Sequence, residues 1–146
     1  MRRMKICMTT LEFPPDTGGV GESVKRISAM LRNAGHEIHV FVFHSSRCRK
    51  EVNGGPTRVD TSEQDGVFVH RYQHVDRSSK QSEQDIASDA YLELQKLHDR
   101  ENFDLFHAFF LNETGFLTTL LAREVGRPVV NSIRGADIHK NIFNPK

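Results

Sequence analysis

Short runs of strand character alternate along this chain with longer segments whose apolar residues recur at helical spacing. Between the strand-like Met4–Thr10 and His36–Phe43, apolar residues return every three or four positions from Val20 to Ala34, which predicts a helix with one buried face. Gly35 follows directly and is the residue type that commonly ends a helix. A strand, a helix and a second strand joined by short connections form a βαβ unit with parallel strands and a right-handed crossover.

The same alternation continues to the end of the chain. We therefore predict an α/β fold, a doubly wound parallel sheet with flanking helices. The further strands are Val67–Tyr72, Phe103–Phe110 and Pro128–Ile133; one further helix runs from about Gln84 to Arg100, and another is capped by Asn112 and ends before Gly126.

One long segment breaks this rhythm. His44–Gly66 is polar and contains Gly54-Gly55-Pro56, which predicts a variable loop and leaves open a short edge strand near Thr57–Asp60. Its residues carry no chemistry that indicates a ligand.

The composition limits the classes of function. The 146 residues carry a net charge of +1 and scattered basic residues, which argues against nucleic-acid binding. They suffice for a single domain over 1–146, and no apolar run approaches the ~20 residues that span a bilayer. Cys7 and Cys48 lack metal-ligand spacing, which is typical of a reduced, cytoplasmic protein. Peripheral association with a membrane surface stays open.

A glycine turn, TGGVGES, precedes the first predicted helix. A Walker A loop would have lysine where Glu22 stands, and a dinucleotide-binding loop would have glycine where Val24 stands, so neither motif fits. Glycines at a helix N-terminus nevertheless expose amide groups beside the positive end of the helix dipole, which favours an anion. The alternative is a turn that only lets the helix pack closely on the sheet.

Metal binding and serine hydrolysis are both disfavoured. The eight histidines show no ligand spacing with carboxylates or cysteines, so we expect no metal site. Ser23 and Ser132 lack the sequence context of a catalytic triad.

Two long segments resemble a known enzyme family. Residues 13–43, FPPDTGGVGESVKRISAMLRNAGHEIHVFVF, resemble the start of family 4 glycosyltransferases, with a Pro-Pro loop, a glycine turn, an amphipathic helix and a GHE strand start. Residues 103–137, FDLFHAFFLNETGFLTTLLAREVGRPVVNSIRGAD, are similar to that family's second block, with an Asp-x-x-His strand and a closing RGxD or HGxD. The order and spacing of the two blocks agree with the family.

This resemblance implies a GT-B architecture, in which two Rossmann-like domains face each other across a cleft. The chain would be the N-terminal, acceptor-side domain of a retaining glycosyltransferase that uses a nucleotide-sugar as co-substrate, with no metal or other cofactor. It stops where that first domain would still be finishing. We therefore expect the C-terminal donor-binding domain to be absent and the fragment alone to be inactive. The alternative is a non-enzymatic α/β module that binds a phosphorylated ligand or a protein partner.

The resemblance also assigns roles to individual residues. The turn Gly18, Gly19, Val20 and Gly21 would lie against the donor diphosphate, and His107, at the end of its strand, would be the candidate catalytic residue. The acceptor and the cleft would be lined by Phe109, Asn112, Arg134 and Asp137, with Arg134 pairing with a phosphate or carboxylate and Asp137 accepting from sugar hydroxyls.

Two features depart from the family pattern. Many relatives have a second histidine where this chain has Phe109, which cannot exchange a proton but can stack on a sugar face. Glu93 and Glu101 match the spacing of the family's donor-site glutamates, but they lie on a predicted amphipathic helix of this domain. We interpret that match as coincidence. The donor sugar, its nucleotide and the acceptor are not indicated by these residues.

Overall fold

The computed structural model describes residues 1–43, 58–73, 83–135 and 137–138. Within these ranges the strands and helices follow the order that the sequence predicts, with a full additional strand at 58–64. Their bounds are β1 (Lys5–Thr10), α1 (Gly19–Asn33), β2 (Glu37–Val42), β3 (Arg58–Gln64), β4 (Val67–Gln73), α2 (Glu83–Glu101), β5 (Leu105–Phe109), α3 (Glu113–Glu124) and β6 (Val129–Ser132).

The strands form one sheet in the order β3-β4-β2-β1-β5-β6. Neighbouring strands are parallel from β4 to β6, whereas β3 pairs antiparallel with β4. The predicted Rossmann-like α/β sheet with flanking helices is confirmed, but the sheet is mixed rather than wholly parallel.

The antiparallel strand corrects the predicted loop at 44–66. Residues 58–64 form a full edge strand, longer than the short one left open near Thr57–Asp60, while 44–57, with Cys48, lie outside the described residues. The turn into β4 consists of Asp65 and Gly66, both with positive φ (50° and 73°). Two such residues are typical of the tight turn that matches the twist of a hairpin, which is why the chain doubles back here.

The two faces of the sheet carry separate apolar clusters. Ile6 and Met8 of β1 face α1, whereas Cys7, between them, faces α2 and α3. This alternation follows from the two-residue period of a strand, and helices on both faces explain why three consecutive residues, Ile6, Cys7 and Met8, are all apolar. Burial raises the pKa of the Cys7 thiol, so we expect this cysteine to be unreactive.

The helix ends agree with the sequence. Gly35 and Gly126 follow α1 and α3 with φ of 94° and 66°, the left-handed conformation that ends a helix. The side chain of Asn112 caps α3 by accepting a hydrogen bond from the Thr114 N–H at 3.1 Å. None of the helices in the described ranges has the length and apolar character needed to span a bilayer.

Candidate functional site

The predicted site residues lie within β5 or in the segments that follow β1, β5 and β6. These three strands are adjacent and parallel, so their carboxyl ends share one edge of the sheet. Open α/β sheets bind ligands at that edge. The fold therefore brings the glycine turn, the β5–α3 connection and the segment after β6 together.

The glycine turn leaves the first amides of α1 without acceptors inside the helix. Gly18 is the N-cap residue and provides no side-chain cap. The first helical bond runs from the Glu22 N–H to the Gly18 carbonyl at 3.3 Å, so the N–H groups of Gly19, Val20 and Gly21 precede it. They lie at the positive end of the helix dipole, an arrangement suited to an anion.

The surroundings of the three glycines differ. A Cβ at Gly18 would collide with the Glu12 carboxylate, and one at Gly21 would contact the backbone of Glu12 and Phe13 at 3.5 Å. A Cβ at Gly19 would meet nothing within 4 Å. The atoms near Gly18 belong to the end of a flexible side chain, and the distance at Gly21 is an ordinary van der Waals contact, whereas Gly19 borders open space.

Arg71 supports the loop that leads into this turn, and sequence reasoning missed it. From β4 its guanidinium reaches the loop after β1, where it donates to the Asp16 carboxylate and to the carbonyls of Phe13 and Pro14. From sequence alone, an arginine near the end of a strand is expected to be a solvated surface charge. Its partners become evident only from the fold.

His107 lies in the middle of β5 rather than at its end, which corrects the sequence-based placement. Its Nε2 atom is 2.8 Å from Ser132 Oγ, and its ring stacks on Phe109 with the ring centres 4.5 Å apart. Burial lowers the pKa of His107, and the Arg134 cation lowers it further. The imidazole is therefore neutral at neutral pH, in the form that accepts a proton.

Phe109 is fully buried, in contrast to the predicted cleft position. It belongs to the apolar cluster on the α1 side of the sheet together with Phe13 and Val24, and Val20 packs against that cluster. In this conformation the ring presents no face to a sugar. The ring packs within this cluster and lies beneath the Arg134 guanidinium instead.

The Arg134 guanidinium lies over the Phe109 ring, with its central carbon 5.5 Å from the ring centre. Its Nε atom is buried and has no hydrogen-bond partner among the residues that the structure describes. Stacking on an aromatic face is a common way to hold a cation in place without neutralising its charge. Arg134 is thus a fixed cation beside His107.

Asp137 differs from its predicted role. Its side chain is only 2% exposed, and its Oδ2 atom accepts from the Arg134 N–H at 2.9 Å, while its own N–H donates to the Arg134 carbonyl. The carboxylate closes the turn after β6, which leaves it little access to sugar hydroxyls. Asn112, also predicted to line the cleft, is half-buried and uses its side-chain oxygen as the α3 cap.

A group with metal-ligand character lies at the opposite, amino edge of the sheet. Potential ligand atoms of Glu37, His39 and Glu101 fall within 4.8 Å of one another. The Lys5 ammonium is 3.0 Å from the Glu37 carboxylate and 3.2 Å from that of Glu101. Because this cation already bridges both carboxylates, we interpret the group as an ion-pair network. The absence of a metal site stays a prediction.

The glutamates with family-like spacing do not form a site of their own. Glu93 pairs with Lys96 on the surface of α2, and Glu101 pairs with Lys5. Each carboxylate thus has a partner within this domain, and the interpretation of the spacing as coincidence stays a prediction.

Comparison with known proteins identifies the family. The model of the glycosyl transferase 4-like domain matches residues 18–145, nearly the whole chain. The sucrose-phosphate synthase from Thermosynechococcus elongatus has a similar fold, with a TM-score of 0.65 at 14% sequence identity; the match covers 94% of this chain and 35% of that one. A search of curated proteins finds no significant match.

The chain therefore spans about a third of the length of that solved structure, and at 14% identity the likeness concerns the fold alone. The family match, by contrast, rests on the sequence and extends over residues 18–43 of the first block and over the whole second block. By this match and its GT-B-like fold, the chain belongs to the glycosyl transferase 4-like domain family.

Proposed function

We propose that this chain is the acceptor-side domain of a retaining glycosyltransferase, and that the first amides of α1 face the diphosphate of a nucleotide-sugar donor. The observation that carries the proposal is the uncapped helix N-terminus, with open space in front of Gly19. Family membership favours glycosyl transfer as the chemistry. The rest of the cleft would come from a second, donor-binding domain, so the fragment alone would be inactive.

The charge distribution supports this assignment. When the sugar leaves its donor, negative charge develops on the nucleotide diphosphate. Backbone N–H groups held in place before the reaction stabilise such charge without reorganising. The N–H groups of Gly19, Val20 and Gly21 have this character, and Arg134 adds a full positive charge at the same edge of the sheet.

His107 would act on the acceptor side. As a neutral base it can accept a hydrogen bond, or a proton, from an acceptor hydroxyl. In the tautomer in which Nε2–H donates to Ser132 Oγ, this bond fixes the orientation of the ring and leaves Nδ1 as the acceptor suited to this role. No metal is needed in this scheme, since amides and Arg134 supply the positive charge, and chelation by EDTA should leave turnover unchanged.

Substitution of Gly19 by leucine tests the proposal. The new side chain would meet no protein atom near its Cβ, so the fold should tolerate it while the space in front of the amides is filled. In the natural protein that contains this chain, we expect sugar transfer to fall by about 10²-fold, the scale for loss of a preorganised oxyanion donor. Lys25→Leu places the same side chain at an exposed position of the same helix and should be nearly silent.

The outcomes separate the two functions. Loss of transfer in Gly19→Leu, with wild-type thermal stability and a silent Lys25→Leu, would support the diphosphate role. Equal activity of both variants would refute it. If the wild-type protein binds UDP or GDP but transfers no sugar from any nucleotide-sugar, the chain is instead a non-enzymatic module for a phosphorylated ligand.

A further inference from the structure

Arg71 reaches across the sheet to the loop that precedes the glycine turn. It lies near the end of β4, opposite Val42 of β2, and its guanidinium passes the end of β2 to reach residues that follow β1. Nη1 donates to Asp16 Oδ2 at 3.0 Å, and Nη2 donates to the carbonyls of Phe13 at 3.1 Å and Pro14 at 2.6 Å.

This contact is shielded from solvent. The Arg71 side chain is 15% exposed and that of Asp16 is 6% exposed. A pair so little exposed is weakly screened, and hydrogen bonds to charged groups are stronger than neutral ones. The contact therefore fixes the loop more firmly than a surface ion pair would.

The geometry requires arginine. The guanidinium fork directs two nitrogens at three acceptors that belong to different residues of one loop, Phe13, Pro14 and Asp16. A lysine ammonium has one nitrogen and can pair with the Asp16 carboxylate, but it cannot reproduce the fork. Arg71→Lys therefore separates the charge of this residue from its shape.

The held loop leads directly into the helix N-terminus. Asp16 also donates its N–H to the Phe13 carbonyl at 3.1 Å, which closes a tight turn two residues before Gly18. The N-cap residue Gly18 provides no side-chain cap for α1, so the direction of the Gly19–Gly21 amides depends on how the chain enters the helix. The entry is set by the loop that Arg71 holds.

We propose that Arg71 is a positioning residue, which holds the Phe13–Asp16 loop so that the α1 amides are preorganised for a diphosphate. The ligand part of this inference rests on the proposed function. The positioning itself does not, because it concerns the free protein. A site held within about 0.5 Å of its productive geometry depends on such supporting contacts.

Two measurements on the natural protein test the inference, each on wild type, Arg71→Lys and Arg71→Met. The first is the NMR order parameter of the Gly18, Gly19 and Gly21 amides without ligand. The second is the affinity for UDP and GDP. Arg127→Lys is the control. Arg127 also makes a side-chain hydrogen bond, to Asn102 at 2.8 Å, but it lies before β6, at the amino end of the strands and far from β4 in the strand order.

We expect the glycine order parameters to fall in Arg71→Lys from about 0.85, typical of rigid backbone, toward about 0.6. Nucleoside diphosphate affinity should fall about ten-fold, the scale of one charge-assisted hydrogen bond. Arg127→Lys should change neither. Arg71→Met should have a larger effect than Arg71→Lys, and if Arg71→Met fails to fold, Arg71→Lys still decides.

Unchanged order parameters in Arg71→Lys would overturn the inference. So would lowered order parameters in Arg71→Lys together with a wild-type affinity for UDP and GDP. If the wild-type protein binds neither UDP nor GDP, the proposed function fails. In that case the order parameters still decide whether Arg71 positions the turn.

Discussion

His39 and His70, on neighbouring strands β2 and β4, share a buried hydrogen bond of 2.9 Å between Nδ1 of the first and Nε2 of the second. The second ring nitrogen of His39, Nε2, is 3.1 Å from the Glu37 carboxylate, and that of His70, Nδ1, is 2.9 Å from the Thr61 hydroxyl. Because a carboxylate only accepts, His39 Nε2 donates to it, and His39 Nδ1 then accepts from His70 Nε2–H. His70 Nδ1 in turn accepts from Thr61. Two neutral rings thus satisfy every bond.

Mild acid should destabilise the fold because these rings resist protonation. Burial lowers the pKa of both, that of His70 to about 4, whereas an unfolded chain binds the proton near 6.5. Between pH 4 and pH 6.5 the unfolded state therefore binds more protons at His70 than the folded state does. The free energy of unfolding should be fully retained above pH 6.5 and fall as pH is lowered to about 4, by up to ~1.4 kcal/mol per pH unit for His70. His39 adds to the loss in the same direction, because its pKa is also lowered.

Urea unfolding at a series of pH values measures this slope, and His70→Gln is the matched variant. The glutamine amide can donate to His39 and accept from Thr61 but does not titrate, so the slope should become shallower. The slope is compared between pH 6.5 and 4.5, because the pKa values of Glu37 and Glu101 are lowered from 4.5 and these carboxylates therefore contribute mainly below that range. An unchanged slope in His70→Gln would contradict the assignment.

Removal of the Arg134 charge should raise the pKa of His107. Burial and the Arg134 cation both lower this pKa, and Arg134→Met removes the second cause while it keeps an unbranched side chain over Phe109. The titration of the imidazole, followed by NMR, should shift toward 6.5. Arg127→Met, at the opposite edge of the sheet, should leave it unchanged. Equal shifts in both variants would mean that Arg134 acts only through the overall charge.

Gly115→Ala should destabilise the fold. A Cβ at this position would collide with the Phe110 carbonyl oxygen. This oxygen is a backbone atom, so the clash can be relieved only if the β5–α3 connection or the first turn of α3 shifts. We expect a loss of about 1–3 kcal/mol in the free energy of unfolding, the usual scale for overpacking. Gly19→Ala, which meets open space, should change it by less than about 1 kcal/mol. Similar values for the two variants would show that α3 can shift.

Two buried hydroxyls beneath α3 should behave as a coupled pair. Thr118 Oγ1 donates to the Thr114 carbonyl at 2.7 Å, so the hydrogen bond of 2.7 Å between Thr9 and Thr118 must be donated by Thr9. Thr118→Val leaves the Thr9 hydroxyl without its acceptor and should cost about 1–3 kcal/mol. The double variant with Thr9→Val should recover part of that loss in equilibrium unfolding. Additive losses would argue against the pair.

Features that depend on a few adjacent residues were determined by the sequence. Gly35 and Gly126 end their helices and Asn112 caps α3, because these conformations and bonds are local. The parallel core of the sheet followed from the spacing of apolar residues. The Asp65-Gly66 turn was also encoded, as a known hairpin signal, but it was missed within a polar segment whose strand lacks a continuous apolar face.

The tertiary structure decided how the site is built. Arg71 and the Phe13–Asp16 loop are more than 50 positions apart, and only the strand order brings them together. Phe109 was expected at the cleft, but the packing of β5 against the α1 side buries it beneath Arg134. Local sequence fixes backbone conformation over a few residues, whereas the partner of a side chain depends on which distant segments the sheet places beside it.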